Sequence, residues 1–141
     1  MAKVNAHSDE ALNIIKASNV TAPIVMYLGL LTTMTDPRDP ATWVEAAYAG
    51  YARVALNQAT DFTGPAAHTT GRKLTWPASG NKDFAAVPAG GATIVGWALI
   101  AHDSLALATY AKRAVDTAFS KVYAQNDVPR CAQNSMTTSE Q

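Results

Sequence analysis

Two continuous apolar runs dominate the chain, residues 24–32 and 93–101. Each has the length of a strand and no polar face, which predicts strands buried on both sides. Gly29, inside the first run, predicts a bend or a close backbone approach. Residues 51–57 alternate instead. Ala52, Val54 and Leu56 share one face, and Tyr51, Arg53 and Asn57 share the other, as in a half-exposed strand. Residues 72–76 and 84–87 predict two shorter strands, the first stopped by Pro77. Residues 115–124 alternate as well, with Val115, Thr117, Phe119, Lys121 and Tyr123 along one side. Residues 105–111 fit a strand or a helix.

Helical signals are few. Residues 8–18 predict a short helix, with Ser8 as N-cap, Asp9 and Glu10 at its positive end, and Leu12 and Ile15 on one face. Residues 42–47 predict one helical turn capped by Thr42. Residues 35–40 carry two Asp-Pro steps and read as a loop. Residues 60–70 read as a Gly/Pro/Ala/Thr loop, and residues 79–81, 88–91 and 126–127 as turns. The tail, residues 130–141, is polar and extended, an edge strand or a disordered end.

About eight short strands separated by turn residues predict an all-β fold, an antiparallel sandwich or barrel. No repeat and no coiled-coil heptad is visible. The chain is read as a single β-sandwich domain over 1–141, with an N-terminal helix or arm over about 1–20 and a polar segment over about 130–141.

Composition narrows the classes. A chain of 141 residues buries enough surface for a core. It is 48% hydrophobic and 16% charged, which excludes an intrinsically disordered chain. Eleven basic and eleven acidic residues cancel, so no field draws the chain to nucleic acid or an anionic membrane. Low charge suits a protein that sits against another. One cysteine permits no intrachain disulfide. There is no apolar leader and no span of 18 apolar residues, so assembly in the cytoplasm is expected.

Candidate chemistry is sparse. His7, His68 and His102 lie far apart without metal-ligand spacing, and no cofactor is expected. His102-Asp103 reads as a polar turn after a buried strand. Cys131 has no base partner. No phosphate-cradling or nucleophile-elbow motif occurs, and residues 89–92 read as a turn. Asn19-Val20-Thr21 matches a glycosylation sequon, read as chance. Asp36, Asp39, Asp61 and Asp83 read as local turn formers. No catalytic, metal-binding or cofactor-binding residue is assigned, and an enzyme is not expected. Trp76 and Trp97 read as core. Trp43 and Tyr48, beside the Pro-rich loop that carries Arg38, are candidates for a contact surface.

The order of segments resembles a family of tailed-phage virion proteins, the cement or decoration proteins, often labelled tail-fibre-like. The similar pieces are residues 22–33, residues 49–56 with Tyr51-Ala52-Arg53-Val54 as the best match, Leu74-Thr75-Trp76-Pro77-Ala78, residues 93–103 and residues 126–137. The resemblance implies a jelly-roll-like β-sandwich on the outer surface of a phage head. Such a protein joins capsomers of an HK97-like major capsid protein by non-covalent contacts, as a dimer or trimer. Binding only the assembled shell stabilises it by mass action. The expected contact residues are Arg38, Trp43, Tyr48, Arg130, Cys131 and Met136, with the tail adding a strand to a neighbouring sheet. The alternatives are a tail or tail-fibre component, and a non-catalytic β-sandwich binding module.

Overall fold

The first apolar run becomes β1 (Met26–Met34), the centre of the largest sheet. The structure, a computed structural model, describes residues 26–68, 71–114 and 120–140. The helix expected over 8–18 and the first half of the alternating segment 115–124 lie outside the described residues. β1 pairs with β2 (Trp43–Glu45), β3 (Val54–Leu56) and β8 (Gly96–Ile100), and β8 pairs with β9 (Ala111–Ala114). Two-sided burial shows in the side chains. Leu28 and Leu30 of β1 and Trp97 and Leu99 of β8 enter one core cluster with Leu56, Trp76 and Phe84. Leu31 of β1 and Ala98 and Ile100 of β8 enter a second with Trp43, Leu107 and Ala111. The uninterrupted apolar runs exist because the two central strands carry core on both faces.

Smaller sheets complete the fold. β5 (Gly71–Trp76) lies between β4 (Thr63–His68) and β12 (Met136–Glu140). β7 (Ala92–Ile94) pairs with β10 (Lys121–Tyr123), and β6 (Lys82–Asp83) with β11 (Arg130–Cys131). Every pair among the described residues is antiparallel, so the fold is all-β. One short helix, α1 (Leu107–Tyr110), precedes β9.

Several expectations are corrected. The described residues hold twelve short strands instead of about eight. Residues 42–47 do not form a helical turn. Pro40–Thr42 makes a 3-10 turn capped by the Asp39 carboxylate, which accepts from the Ala41 N–H at 3.0 Å. Trp43, Val44 and Glu45 then pair with β1, where an aromatic and a β-branched residue suit a pleated surface. The loop expected over 60–70 contains β4. Its strand is bulged between Thr63 and Ala66, and Gly64 stands there with φ +123°, where a Cβ would lie 2.7 Å from the Lys73 carbonyl. Residues 84–87 form no strand, because Pro129 accepts from the Phe84 N–H at 3.0 Å but has no N–H to return. The second apolar run breaks at Val95, whose N–H donates to Leu31, so β7 and β8 serve different sheets. Residues 105–111 divide between α1 and the start of β9.

Other expectations hold. Trp76 and Trp97 are core. The turn at 88–91 closes through Gly91 N–H to the Pro88 carbonyl, and Asp127 caps the turn at Ala124. The tail strand β12 is an edge of its three-stranded sheet. Tyr123 faces inward with the Lys121 ammonium 4.6 Å above its ring, which keeps an aromatic and an aliphatic stem on one side.

Candidate functional site

The densest polar arrangement lies where β1, β2 and the stretch entering β3 meet. Tyr51 and Arg53 share a face by the two-residue period of extended chain. That face turns towards Glu45 of β2 and not to open solvent. Arg53 donates from Nε to Glu45 Oε1 at 2.8 Å and from Nη2 to Oε2 at 2.7 Å, a bidentate pair. Its remaining bonds go to main chain, from Nη1 to the His102 carbonyl at 2.6 Å and from Nη2 to the Leu105 carbonyl at 3.0 Å. The side chains of Arg53 and Glu45 are 9% and 18% exposed. One guanidinium thereby ties β2, the approach to β3 and the loop between β8 and α1.

Tyr51 completes the group. Its hydroxyl donates to Glu45 Oε1 at 2.7 Å and accepts from the Leu30 N–H at 3.0 Å. Burial, and then the bond to Glu45, push the Tyr51 phenol far above its ordinary range, so it stays protonated. The bond to Glu45 and then its charge raise the already high Arg53 value further. Behind Tyr51 the aromatics run on in contact. Tyr48 meets it edge-on at 5.4 Å, Phe84 stacks at 6.0 Å, and Trp97 lies 5.8 Å beyond Phe84. Gly29 makes room for the group, since a Cβ there would lie 3.2 Å from Glu45 Oε1 and 3.4 Å from the Tyr51 hydroxyl.

An open cavity of about 470 Å³ lies over this group. Tyr27, Glu45, Ala46, Tyr51, Ala52, Arg53, Asp103 and Ser104 line it. On its rim, His102 Nδ1 is 3.0 Å from Asp103 Oδ1 and accepts from the Ser104 N–H at 3.2 Å. His102-Asp103 is thus a polar turn after a buried strand, as its sequence implied.

A second polar cluster is structural in character. Asp61 is 1% exposed. It accepts from the Asn57 N–H at 2.8 Å, pairs with Lys82 at 2.9 Å, and is hydrogen-bonded to the Ser79 hydroxyl. Burial alone would raise its pKa. The bonds from Ser79, Lys82 and Asn57 outweigh burial and hold the carboxyl below its ordinary value. Asp36 and Asp39 do form local turns, accepting from Arg38 and Ala41 N–H groups. Asp83 instead binds Arg130 through two bonds of 2.6 and 2.7 Å across the β6–β11 pair.

The residues expected at a contact surface fall in separate places. Arg38 is exposed, and Trp43 beside it is buried, its indole N–H donating to the Asp36 carbonyl at 2.7 Å. Tyr48 is half-buried, with its hydroxyl on the Ala85 carbonyl at 3.0 Å. Arg130 is exposed on β11 and Met136 half-buried at the start of β12. Cys131 is 1% exposed. Burial takes Trp43 and Cys131 out of the surface a partner could reach, because the Pro-rich turn covers the indole and the tail folds back to place the thiol in the core. Sequence reasoning passed over Glu45 and Lys82, and read Asp61 only as a local turn former. The one signal for the first was the Tyr51/Arg53 face, which wanted an acidic partner if it was not solvent-facing.

Against known proteins, a family model described as Podophage GP4 fiber I protein gp80 matches residues 3–139. No curated protein matches the chain.

Proposed function

The chain belongs to the podophage GP4 fiber I protein gp80 family, and from that membership we propose that it is a fibre component of a phage virion, acting by contact and not by catalysis. The family match across nearly the whole chain carries this reading. The polar geometry supports the contact role. Glu45, Arg53 and Tyr51 are spent on one another and on main-chain carbonyls, which makes a brace between strands and leaves no poised acid, base or nucleophile. Phe84 and Trp97 extend the same brace into the core. A rigid small module of this kind contributes binding surface to an assembly, and a standard interface needs only about 800 Å² per partner.

A cement role on the outer face of the head, binding the major capsid protein as a dimer or trimer, is the second reading. It is favoured by the sequence itself, which shows neither the repeats nor the heptads from which a fibre shaft is built.

Quantitative mass spectrometry of purified virions, referenced to the major shell protein, separates the two. A small number of copies per particle, with gold-labelled antibody outside the head lattice, is the result expected of a fibre component. Copies in simple proportion to the shell protein move the chain to the head as cement. Absence from the particle overturns both.

A further inference from the structure

We propose that the free edge of β12 pairs with the same edge of a second copy of this chain, antiparallel and centred on Thr138, so that two three-stranded sheets become one of six. A sheet edge leaves main-chain N–H and C=O groups without partners, and folded proteins blunt such edges by shortness, bulges, Pro or charge. The other edges among the described residues are blunted. β2, β3, β7 and β10 have three residues each, and β6 and β11 have two. β4 carries Pro65 and a bulge, and β9 carries Lys112 and Arg113 and a register shift against β8. β12 has none of these devices. Its five residues run in unbroken register from Met136 opposite Trp76 to Glu140 opposite Arg72, and its one charged residue, Glu140, comes last. β5 takes one side of the strand, and no main-chain bond among the described residues takes the other.

The sequence of this edge complements itself in one direction, which favours a second copy over a foreign strand. Antiparallel pairing centred on Thr138 sets Met136 opposite Glu140 and Thr137 opposite Ser139. No like charges then face each other, and hydroxyl-bearing residues pair across the strands. Parallel pairing in register would set Glu140 beside Glu140. A two-fold axis through Thr138 uses the free edge of each copy once, so the assembly closes as a dimer and does not propagate. β5 already holds the strand extended, so little ordering is required when the second copy arrives. The pairing rests on this edge alone, and its failure would leave the virion reading standing.

The test is sedimentation velocity of the full chain from about 1 to about 500 µM, with amide hydrogen exchange at both ends of that range. A monomer–dimer equilibrium is expected, with a dissociation constant on the order of 10–100 µM, because one strand pair buries less than a standard interface. Exchange within residues 136–140 should slow at the high concentration. Two double variants read the register. Thr137→Glu with Ser139→Glu sets carboxylates opposite carboxylates across the two-fold axis, while within the chain position 139 stands opposite Lys73, which favours the fold. It is expected to weaken the dimer about 5- to 30-fold. Thr137→Lys with Ser139→Glu sets opposite charges across the same axis and is expected to tighten it about 3- to 10-fold. A monomer at every concentration, a trimer, a dimer whose β12 amides exchange at the same rate as in the monomer, or a dimer affinity that neither variant changes would each overturn the proposal.

Discussion

Arg53 grips Glu45 by two parallel hydrogen bonds, Nε to Oε1 at 2.8 Å and Nη2 to Oε2 at 2.7 Å, with neither side chain more than a fifth exposed. The pair joins β2 to the stretch before β3, two segments that pair with successive parts of the same edge of β1, the edge opposite β8. A charge pair this far from solvent contributes through what its loss leaves behind more than through its own attraction.

Arg53→Ala therefore costs more than a surface ion pair. It leaves the Glu45 carboxylate with the Tyr51 hydroxyl but without its cation, and removes the donors to the His102 and Leu105 carbonyls. A loss of about 2–4 kcal/mol is expected in urea unfolding. Arg53→Lys recovers little of it, because an ammonium cannot span both carboxylate oxygens and two carbonyls. A loss below about 1 kcal/mol, the range of exposed pairs, would show that the brace is not structural.

Gly29→Ala tests the close approach at the same site. The added Cβ would lie 2.7 Å from Ile100 Cδ1. Ile100 is fully buried, so its side chain can yield only by disturbing the second core cluster. A cost of about 1–3 kcal/mol is expected for this overpacking. Ile100→Val removes the clashing methyl. The double variant should accordingly be more stable than the sum of the two single losses. Strict additivity in thermal or urea unfolding would locate the Gly29 constraint elsewhere.

Asp61 gives the acid limb of the stability curve. Its folded pKa lies below the ordinary value of 3.8. Ionised Asp61 thus contributes stability that is fully present above the unfolded value and is lost as pH falls through the folded one. Wild type minus Asp61→Asn, compared in unfolding free energy, should be constant at neutral pH and should narrow once pH drops below 3.8. A difference that stays constant through that range would mean that Lys82, Ser79 and Asn57 do not favour the charged form.

Parts of this arrangement are visible in the amino-acid pattern, and parts are not. Continuous apolar runs announce strands covered on both faces, and Gly29 announces a close approach, because both are local demands on side-chain volume. Trp76 and Trp97 are core for the same reason. β2 is not visible, because residues 42–47 mix strand formers, Trp43 and Val44, with helix formers, Glu45, Ala46 and Ala47, and pairing with β1 decides between them. The brace fails for a related reason. Tyr51 and Arg53 look like a solvent face until Glu45, six and eight residues away, is folded against them. Cys131 and Met136 sit in a polar segment, and only the return of the tail onto β5 and β6 buries the thiol.

The Cys131 thiol should be unreactive in the folded chain. Burial pushes its pKa up, more than the Ser135 hydroxyl and the Lys82 charge lower it, so little thiolate forms at neutral pH. Reaction with a disulfide reagent is expected only as the protein unfolds, at a rate that rises with urea. Rapid stoichiometric labelling in buffer would mean that the tail opens locally.

That buried thiol also decides what truncation of the tail measures. Removing residues 131–141 deletes Cys131 from the core, breaks its pairing with Lys82, and takes β12 off β5 along five paired positions. It also removes the Gln133 bonds to Asn81 at 2.8 Å and to the Ala78 carbonyl at 2.6 Å. The segment is therefore part of the fold, and a truncated chain that fails to join a particle would say nothing about docking. The expected outcome is loss of cooperative thermal unfolding in the isolated protein, read by near-ultraviolet circular dichroism of the tryptophans. Arg130→Ala is the cleaner probe of the tail as a contact, because Arg130 is 54% exposed and its bonds to Asp83 lie on the surface. It should leave the melting temperature nearly unchanged, since exposed ion pairs contribute little. A truncated chain with wild-type melting would refute the structural role of β12 and return the tail to the list of free connectors.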